Sequence, residues 1–174
     1  SSQNMKQLST VAKGDFFEEQ VFNLLKELLE NGKLGLDAKF SRIFWKKPYY
    51  SEARKKDIVF DIAIETYIAD SEKYSWLTIV ECKNYNHSVP VDDIEEFDSK
   101  LSQIGEHNTK GFIFSKVGFQ SGAFDFACSK RIGLAKILSK DKIDWVNYRK
   151  DRNNERYNEG QARFYLSTNS NDEK

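Results

Sequence analysis

Two apolar runs carry acids at strand spacing: Asp57-Ile58-Val59-Phe60-Asp61-Ile62-Ala63-Ile64, and the stretch from Trp76 that ends Glu81-Cys82-Lys83. Side chains of a strand alternate between faces. That alternation predicts Ile58, Phe60, Ile62 and Ile64 on one face of the first run and Asp61 on the other. In the second run Glu81 and Lys83 share a face, while Val80 and Cys82 take the opposite one. If the runs pair as neighbours, two carboxylates and an ammonium meet on one patch of sheet. Like charges gathered in this way repel unless something positive joins them; Lys83 is one such group and a divalent cation is another. Oxygen ligands suit a hard cation such as Mg²⁺, and a nearby lysine can stabilise developing anionic charge, which points to phosphodiester chemistry.

Taken alone, acid-x-lysine at a strand end reads by default as a structural salt bridge, and the upstream Asp61 is what shifts that balance. Asp57 shares the parity of Asp61 but sits at the strand entrance beside Arg54, Lys55 and Lys56, as an ion-pair or edge residue would. Glu65 has the same parity again. At ~3.3 Å per residue it lies about 13 Å from Asp61, too far to share one ion.

Ahead of these strands, the spacing predicts a helix from about Gly14 to Glu30, stopped by Asn31-Gly32. Val21, Phe22, Leu24, Leu25, Leu28 and Leu29 form its apolar arc, and Glu18 falls inside that arc, between the directions of Leu25 and Leu29. A carboxylate on a buried stripe is costly unless it is paired, hydrogen-bonded or near a metal. After the second strand, Asn84–Pro90 reads as a loop. Asp92 and Glu95 read as a capping box opening a helix whose Ile94, Phe97, Leu101 and Ile104 share a face. Lys110–Ser115 reads as a buried strand, Gln120–Arg131 as a helix and Gly133–Leu138 as a last short strand. This order argues α/β with a mixed sheet.

A chain of 174 residues is expected to be one domain with a real core, supplied by 13 phenylalanines and ample Ile, Leu and Val. Its net charge is zero, which gives no global support for nucleic-acid binding. Local patterning is more informative. From Lys39 to Lys56 seven cations stand against the single acid Glu52, with Phe40, Phe44, Trp45, Tyr49 and Tyr50 interleaved. Such a stretch can neutralise phosphates and stack on bases, or simply be a solvated face whose aromatics serve the core. No run has the length of a membrane span, and no secretory pattern opens the chain. Cys82 and Cys128 in apolar contexts read as free thiols, which fits a cytoplasmic protein. Residues 1–13 read as an N-terminal extension or cloning remnant. Residues 139–174 read as a charged segment partly docked by Trp145, Tyr148, Tyr157, Phe164 and Tyr165 and frayed at its end.

The ordered set Gly14-Asp15-Phe16-Phe17-Glu18, Asp61-Ile62-Ala63-Ile64-Glu65 and Val80-Glu81-Cys82-Lys83-Asn84-Tyr85 resembles the PD-(D/E)xK nuclease superfamily, in its Mrr-like restriction endonuclease branch. The runs Val89–Phe97, Lys110–Ser115 and Gly118–Ala123 are similar to that branch too, so the resemblance covers roughly residues 14 to 138. It implies an α/β restriction-endonuclease-like three-layer sandwich, a central mixed β-sheet flanked by helices. It further implies a Mg²⁺-dependent DNA endonuclease of restriction or defence type, with Mn²⁺ able to substitute. Asp61 and Glu81, with the backbone carbonyl of Cys82, would be the metal ligands, and Lys83 the catalytic lysine. Glu18 would match a helix glutamate that approaches the metal; its other reading is a buried acceptor or a salt-bridge partner of Lys83. Phe60 stands where the superfamily motif often has proline, a departure common in the branch that this chain resembles.

Lys46, Lys47, Arg54, Lys55 and Lys100 are the candidate nucleic-acid contacts. Gln103, also considered on the second helix, faces away from Ile94 and reads as exposed. His87 and His107 lack a second ligand at zinc spacing, so zinc is not expected; His87 reads as a plain loop histidine, its other reading being a phosphate contact or proton acceptor. Cys82 points to the core and lacks a base, which makes it a poor nucleophile. Gly118–Gly122 precedes a helix but has no phosphate-loop lysine, so neither nucleotide hydrolysis nor a small-molecule cofactor is expected. The expected partner is DNA rather than a membrane, and a homodimer would place two sites on opposite strands. Two other readings share these residues: a catalytically inactive nucleic-acid-binding module of the same fold, and an interaction domain whose acid–lysine cluster is an ion-pair network.

Overall fold

The apolar stripe of the first helix and the alternating faces of the strands close into two layers of core, one on each side of a single sheet. The computed structural model describes residues 10–148, with side chains from Gly14 onward. The expectations for residues 1–9, and for Tyr157, Phe164 and Tyr165, lie outside the described residues. Helix α1 spans Thr10–Glu30. It ends where Gly32 turns left-handed, as Lys33 N–H bonds the Leu28 carbonyl and Gly32 N–H that of Leu29. These two bonds satisfy carbonyls that the helix end would leave unpaired.

Strands β1 (Ser41–Trp45), β2 (Pro48–Ser51), β3 (Lys56–Val59), β4 (Ile62–Tyr67) and β5 (Tyr74–Lys83) follow. Then come α2 (Val91–Ile104), β6 (Thr109–Ser115), α3 (Ser121–Lys130), β7 (Gly133–Ser139) and β8 (Lys142–Trp145). Six strands form one sheet in the order β1-β4-β5-β6-β7-β8, and β2 pairs with β3 as a separate hairpin. β5, β6 and β7 run parallel, joined by α2 and α3, and the remaining neighbours are antiparallel. Parallel strands need crossovers, and these two helices supply them.

Phe17, Val21, Leu24 and Leu25 of α1 pack on Ile62, Val80, Phe114, Ala135 and Ile137. Ile94, Phe97 and Leu101 of α2, with Ala123 and Ala127 of α3, pack on Ala63, Leu77, Ile79, Ile113 and Leu134. The result is the three-layer α/β sandwich expected from the sequence. Phe60, Phe97 and Phe114 are fully enclosed, each worth about 2–3 kcal/mol relative to exposure. Gly111 lets α2 sit close on β6, since a Cβ there would run into Leu101 and Phe97. Among the described residues no helix is long and apolar enough to cross a membrane.

Three local expectations are corrected. The apolar run 57–64 is not one strand: it breaks at Phe60-Asp61, and Ile58 and Phe60 face α2 and α3 while Ile62 faces α1. The opposing strand breaks at the same level, where Lys46 has a left-handed φ of 56°. Asp92 is not a cap. Pro90 occupies the N-cap of α2 and Asp92 lies in the first turn, because an extended proline can lead a helix whose first amides need no intrahelical partner. Gly133–Ser139 is not the last strand either, since β8 adds an antiparallel edge whose Trp145 meets Phe112 and Phe114.

Candidate active site

β4 and β5 pair with Ile62 opposite Val80, so Asp61 and Glu81 come side by side just where β4 begins. The break before Ile62 takes Asp61 out of the strand ladder. Its Oδ2 instead accepts the N–H of Cys82 at 2.8 Å, extending by a side chain the pairing that β4 no longer supplies. Burial pushes the Asp61 carboxyl up to about 6; the Cys82 N–H opposes that rise, and the charges of Glu81 and Glu18 reinforce it. The Lys46 ammonium also acts to lower this pKa, but less than burial and the two acids act to raise it.

Glu81 is buried and looks toward α2, where it meets two ammonium groups. Lys83 Nζ stands 3.5 Å from Glu81 Oε2, and Lys100 Nζ 3.6 Å from Glu81 Oε1. Lys100 also pairs with Glu96, one helical turn away, at 2.9 Å. Burial works to lower the pKa of Lys83, but Glu81, Tyr85 and Asp93 outweigh it and hold the ammonium above its ordinary value. The Lys83 ammonium lies 5.9 Å from the centroid of the Tyr85 ring. A lysine so placed stays protonated at neutral pH and serves as a hydrogen-bond donor rather than a base.

Glu18 enters from the opposite face. As the helical wheel predicts, it lies on the inward side of α1, and its side chain is only 14% exposed. Its partner is not Lys83. Lys46 Nζ approaches Glu18 Oε2 at 2.6 Å, and Trp45 Nε1–H donates to the same oxygen at 3.3 Å. The hydrogen bond that Lys46 donates to Glu18 raises the pKa of Lys46 against the effect of burial, with the charges of Glu18, Asp61 and Asp15 adding to the rise. Burial pushes the Cys82 thiol well up, and Asp61, Glu18 and Glu81 push it further, so the side chain is a neutral part of the α1 core.

The other sequence candidates are held by local partners. Lys47 pairs with Glu65 at 2.5 Å and Lys55 with Glu52 at 2.9 Å. Arg54 Nε donates to Gln103 Oε1 at 2.9 Å, and Ser51 Oγ donates to the same atom at 2.9 Å. Gln103 is therefore not a free surface residue; it fastens the β2–β3 hairpin to α2. Asp57 is exposed on β3, opposite Tyr50 and in a different sheet from β4. His87 stacks on Tyr85 in the loop after β5.

Sequence reasoning missed three residues of this neighbourhood. Lys46 was read as a nucleic-acid contact, and its pairing with Glu18 was not foreseen. Tyr85 and Asp93 flank Lys83, and Asp93 Oδ2 is buried without a hydrogen-bond partner among the described residues. The spacing of Asp93, Phe97 and Lys100 (i, i+4, i+7) is the signal that places Asp93 on the inward stripe of α2. A cavity of about 710 Å³ opens elsewhere, over the α1 face of the sheet between Leu34, Phe112 and Trp145, and Asp61, Glu81 and Lys83 do not line it.

Among the described residues no three acidic, histidine or cysteine side chains gather into a ready cation cage. The donor set still fits one kind of ion. Asp61 and Glu81 are hard oxygen donors side by side, and Mg²⁺ commonly takes one or two carboxylates and completes its shell with water and substrate phosphate.

A buried mixed sheet with helices on both faces, carrying an aspartate and an acid-x-lysine segment on adjacent strands, defines a class of α/β nuclease-like domains. A family model described as restriction endonuclease, Mrr_cat, matches residues 35–140, more than half of the chain, and the protein belongs to that family. The match includes every strand from β1 to β7 and excludes α1, so it contains Asp61, Glu81 and Lys83 but not Glu18. Among curated proteins none matches the chain. Two solved structures are similar at low identity. A protein of unknown function, AF1548, has 14% identity and a TM-score of 0.46 over 66% of this chain and 58% of its own. The MspJI restriction endonuclease, solved in complex with a 27-mer oligonucleotide, has 13% identity and a TM-score of 0.45 over 78% of this chain and 32% of its own. The chain thus spans less than two thirds of either, and the family assignment rests on the sequence match.

Proposed function

We propose that this protein is a Mg²⁺-dependent DNA endonuclease that hydrolyses phosphodiester bonds, with Mn²⁺ as a substitute. The observation that carries the reading is the meeting of Asp61, Glu81 and Lys83 at the β4–β5 junction in a member of the restriction endonuclease family. Asp61, Glu81 and the carbonyl of Cys82 would hold the cation, with Glu18 approaching from α1. Such an ion, when bound, polarises the scissile phosphate and lowers the pKa of a water. Lys83, kept charged by Glu81 and Asp93, orients the attacking water or donates to the oxygen on which negative charge develops. Lys100 steadies the Glu81 carboxylate from α2. Lys46, Arg54, Lys55 and Lys100 are the proposed phosphate contacts, Lys47 being taken up by Glu65, and the hairpin fastened by Gln103 presents Tyr50 beside them.

The test is a Mg²⁺ and Mn²⁺ titration on supercoiled and linear DNA with wild type and Lys83→Ala. Metal-dependent nicking that the variant loses, with circular dichroism unchanged, is the expected outcome. Nicking by the variant at the wild-type rate would sink the mechanism. Salt-sensitive binding without cleavage under either metal would identify a non-cleaving module instead.

A further inference from the structure

Lys46 is the residue whose placement the fold does not otherwise require. It stands exposed at the corner between β1 and β2, on the α1 side of the site, with a left-handed φ of 56°. For a non-glycine residue this conformation costs roughly 1 kcal/mol or more and persists where surrounding contacts over-determine it. Here the contacts are two, and each reaches one of the proposed metal-binding acids. The Lys46 N–H donates to the Asp61 carbonyl at 2.8 Å, and the Lys46 ammonium lies 2.6 Å from Glu18 Oε2. A second carboxylate, Asp15, stands 3.7 Å from the same ammonium. One residue therefore ties α1 to the start of β4 through its main chain and its side chain together.

The ammonium lies on the Glu18 arm of the site, where a divalent ion drawn to Glu18 would find that carboxylate already paired. Ammonium and metal ion repel strongly at such separations in a partly desolvated site, so both cannot use Glu18 Oε2 at once. We propose that Lys46 is a positioning residue that occupies the Glu18 arm in the metal-free protein and competes with the divalent cation for it. The Lys46 side chain is 46% exposed, so it has a path outward when displaced. Lys83 and Lys100 differ in kind: Lys83 from the end of β5 and Lys100 from α2 approach Glu81 at 3.5–3.6 Å, and neither pairs with Glu18.

This inference rests on the metal-site reading above, and its test separates the two. Mn²⁺ alone is titrated by calorimetry into the full chain, stripped with chelator, as wild type, Lys46→Met, Lys46→Arg, Asp61→Asn and the double variant Glu18→Gln/Lys46→Met. Lys46→Met keeps the aliphatic stem and is expected to bind Mn²⁺ about tenfold more tightly. Lys46→Arg, which keeps the charge, is expected to stay within about twofold of wild type, and the double variant to lose the gain. Thermal melts establish that each variant is folded. A site sensitive to Asp61→Asn that Lys46→Met leaves unchanged or weakens overturns the role of Lys46 alone. Absence of Mn²⁺ binding to both wild type and Lys46→Met, or binding that Asp61→Asn does not alter, overturns the metal site itself and the competition with it.

Discussion

Asp61 and Glu65 lie four positions apart on one stretch of chain, and the protein treats them in opposite ways. Glu65 is inside β4 and its side chain is 3% exposed. It accepts from Lys47 at 2.5 Å, from Tyr49 Oη at 2.8 Å and from Tyr67 Oη at 2.6 Å. Burial alone would push its carboxyl up, but these bonds prevail and hold it below the ordinary range. The Lys47 ammonium also rests 3.9 Å from the centroid of the Phe44 ring, so the counter-charge is itself fixed. Asp61 has a single backbone N–H and negative neighbours in Glu81 and Glu18; the one opposing charge, Lys46, is paired with Glu18 and Asp15, and the Asp61 carboxyl is raised to about 6. A saturated buried acid fixes structure; a buried acid left short of positive charge is available to an ion. The difference lies in the partners, not in the residue type.

The sharpest way to break this contrast is through activity. Asp61→Asn is expected to lower plasmid nicking by at least about 10³-fold, whereas Glu65→Gln, corrected for its folded fraction, stays within about threefold. Equal losses in the two folded proteins would erase the distinction. Stability should give the mirror image at a smaller scale. Glu65→Gln is expected to lose roughly 2 kcal/mol in urea unfolding at neutral pH, because it removes the charge that Lys47 pairs with and weakens two hydroxyl bonds. Asp61→Asn should change stability by less than about 1 kcal/mol, and in the stabilising direction, since it relieves repulsion from Glu81 and Glu18. The Glu65 effect also has a pH signature. A carboxyl depressed in the folded state stabilises above its ordinary value of 4.5, and loses that contribution as pH falls through its folded value. The gap between wild type and Glu65→Gln should therefore be widest at neutral pH and close in acid.

Much of this arrangement was legible in the sequence, and the exceptions have physical causes. The 3.6-residue stripe of α1 exposed Glu18 as an inward acid, and the runs of β5, β6 and β7 are apolar because helices cover both faces. The break at Phe60-Asp61 was hidden because apolar alternation continues through it, and only long-range pairing with β1 and β5 turns the faces over. Lys46 was hidden by its neighbours: in a stretch of seven cations nothing local marks the one that turns toward Glu18. β8 is a short edge strand rich in charge, which reads as loop until Trp145 finds Phe112 and Phe114. Gln103 was given to solvent by the same wheel that found the core of α2, because its partners Ser51 and Arg54 come from a hairpin remote in sequence.

The most direct test of the contrast between the two acids is a crystal of the protein soaked in Mn²⁺ and measured at the manganese absorption edge. The account predicts an anomalous peak within coordination distance of Asp61 and Glu81, with none at Glu65. A peak at Glu65, or none between Asp61 and Glu81 at saturating Mn²⁺, would contradict it.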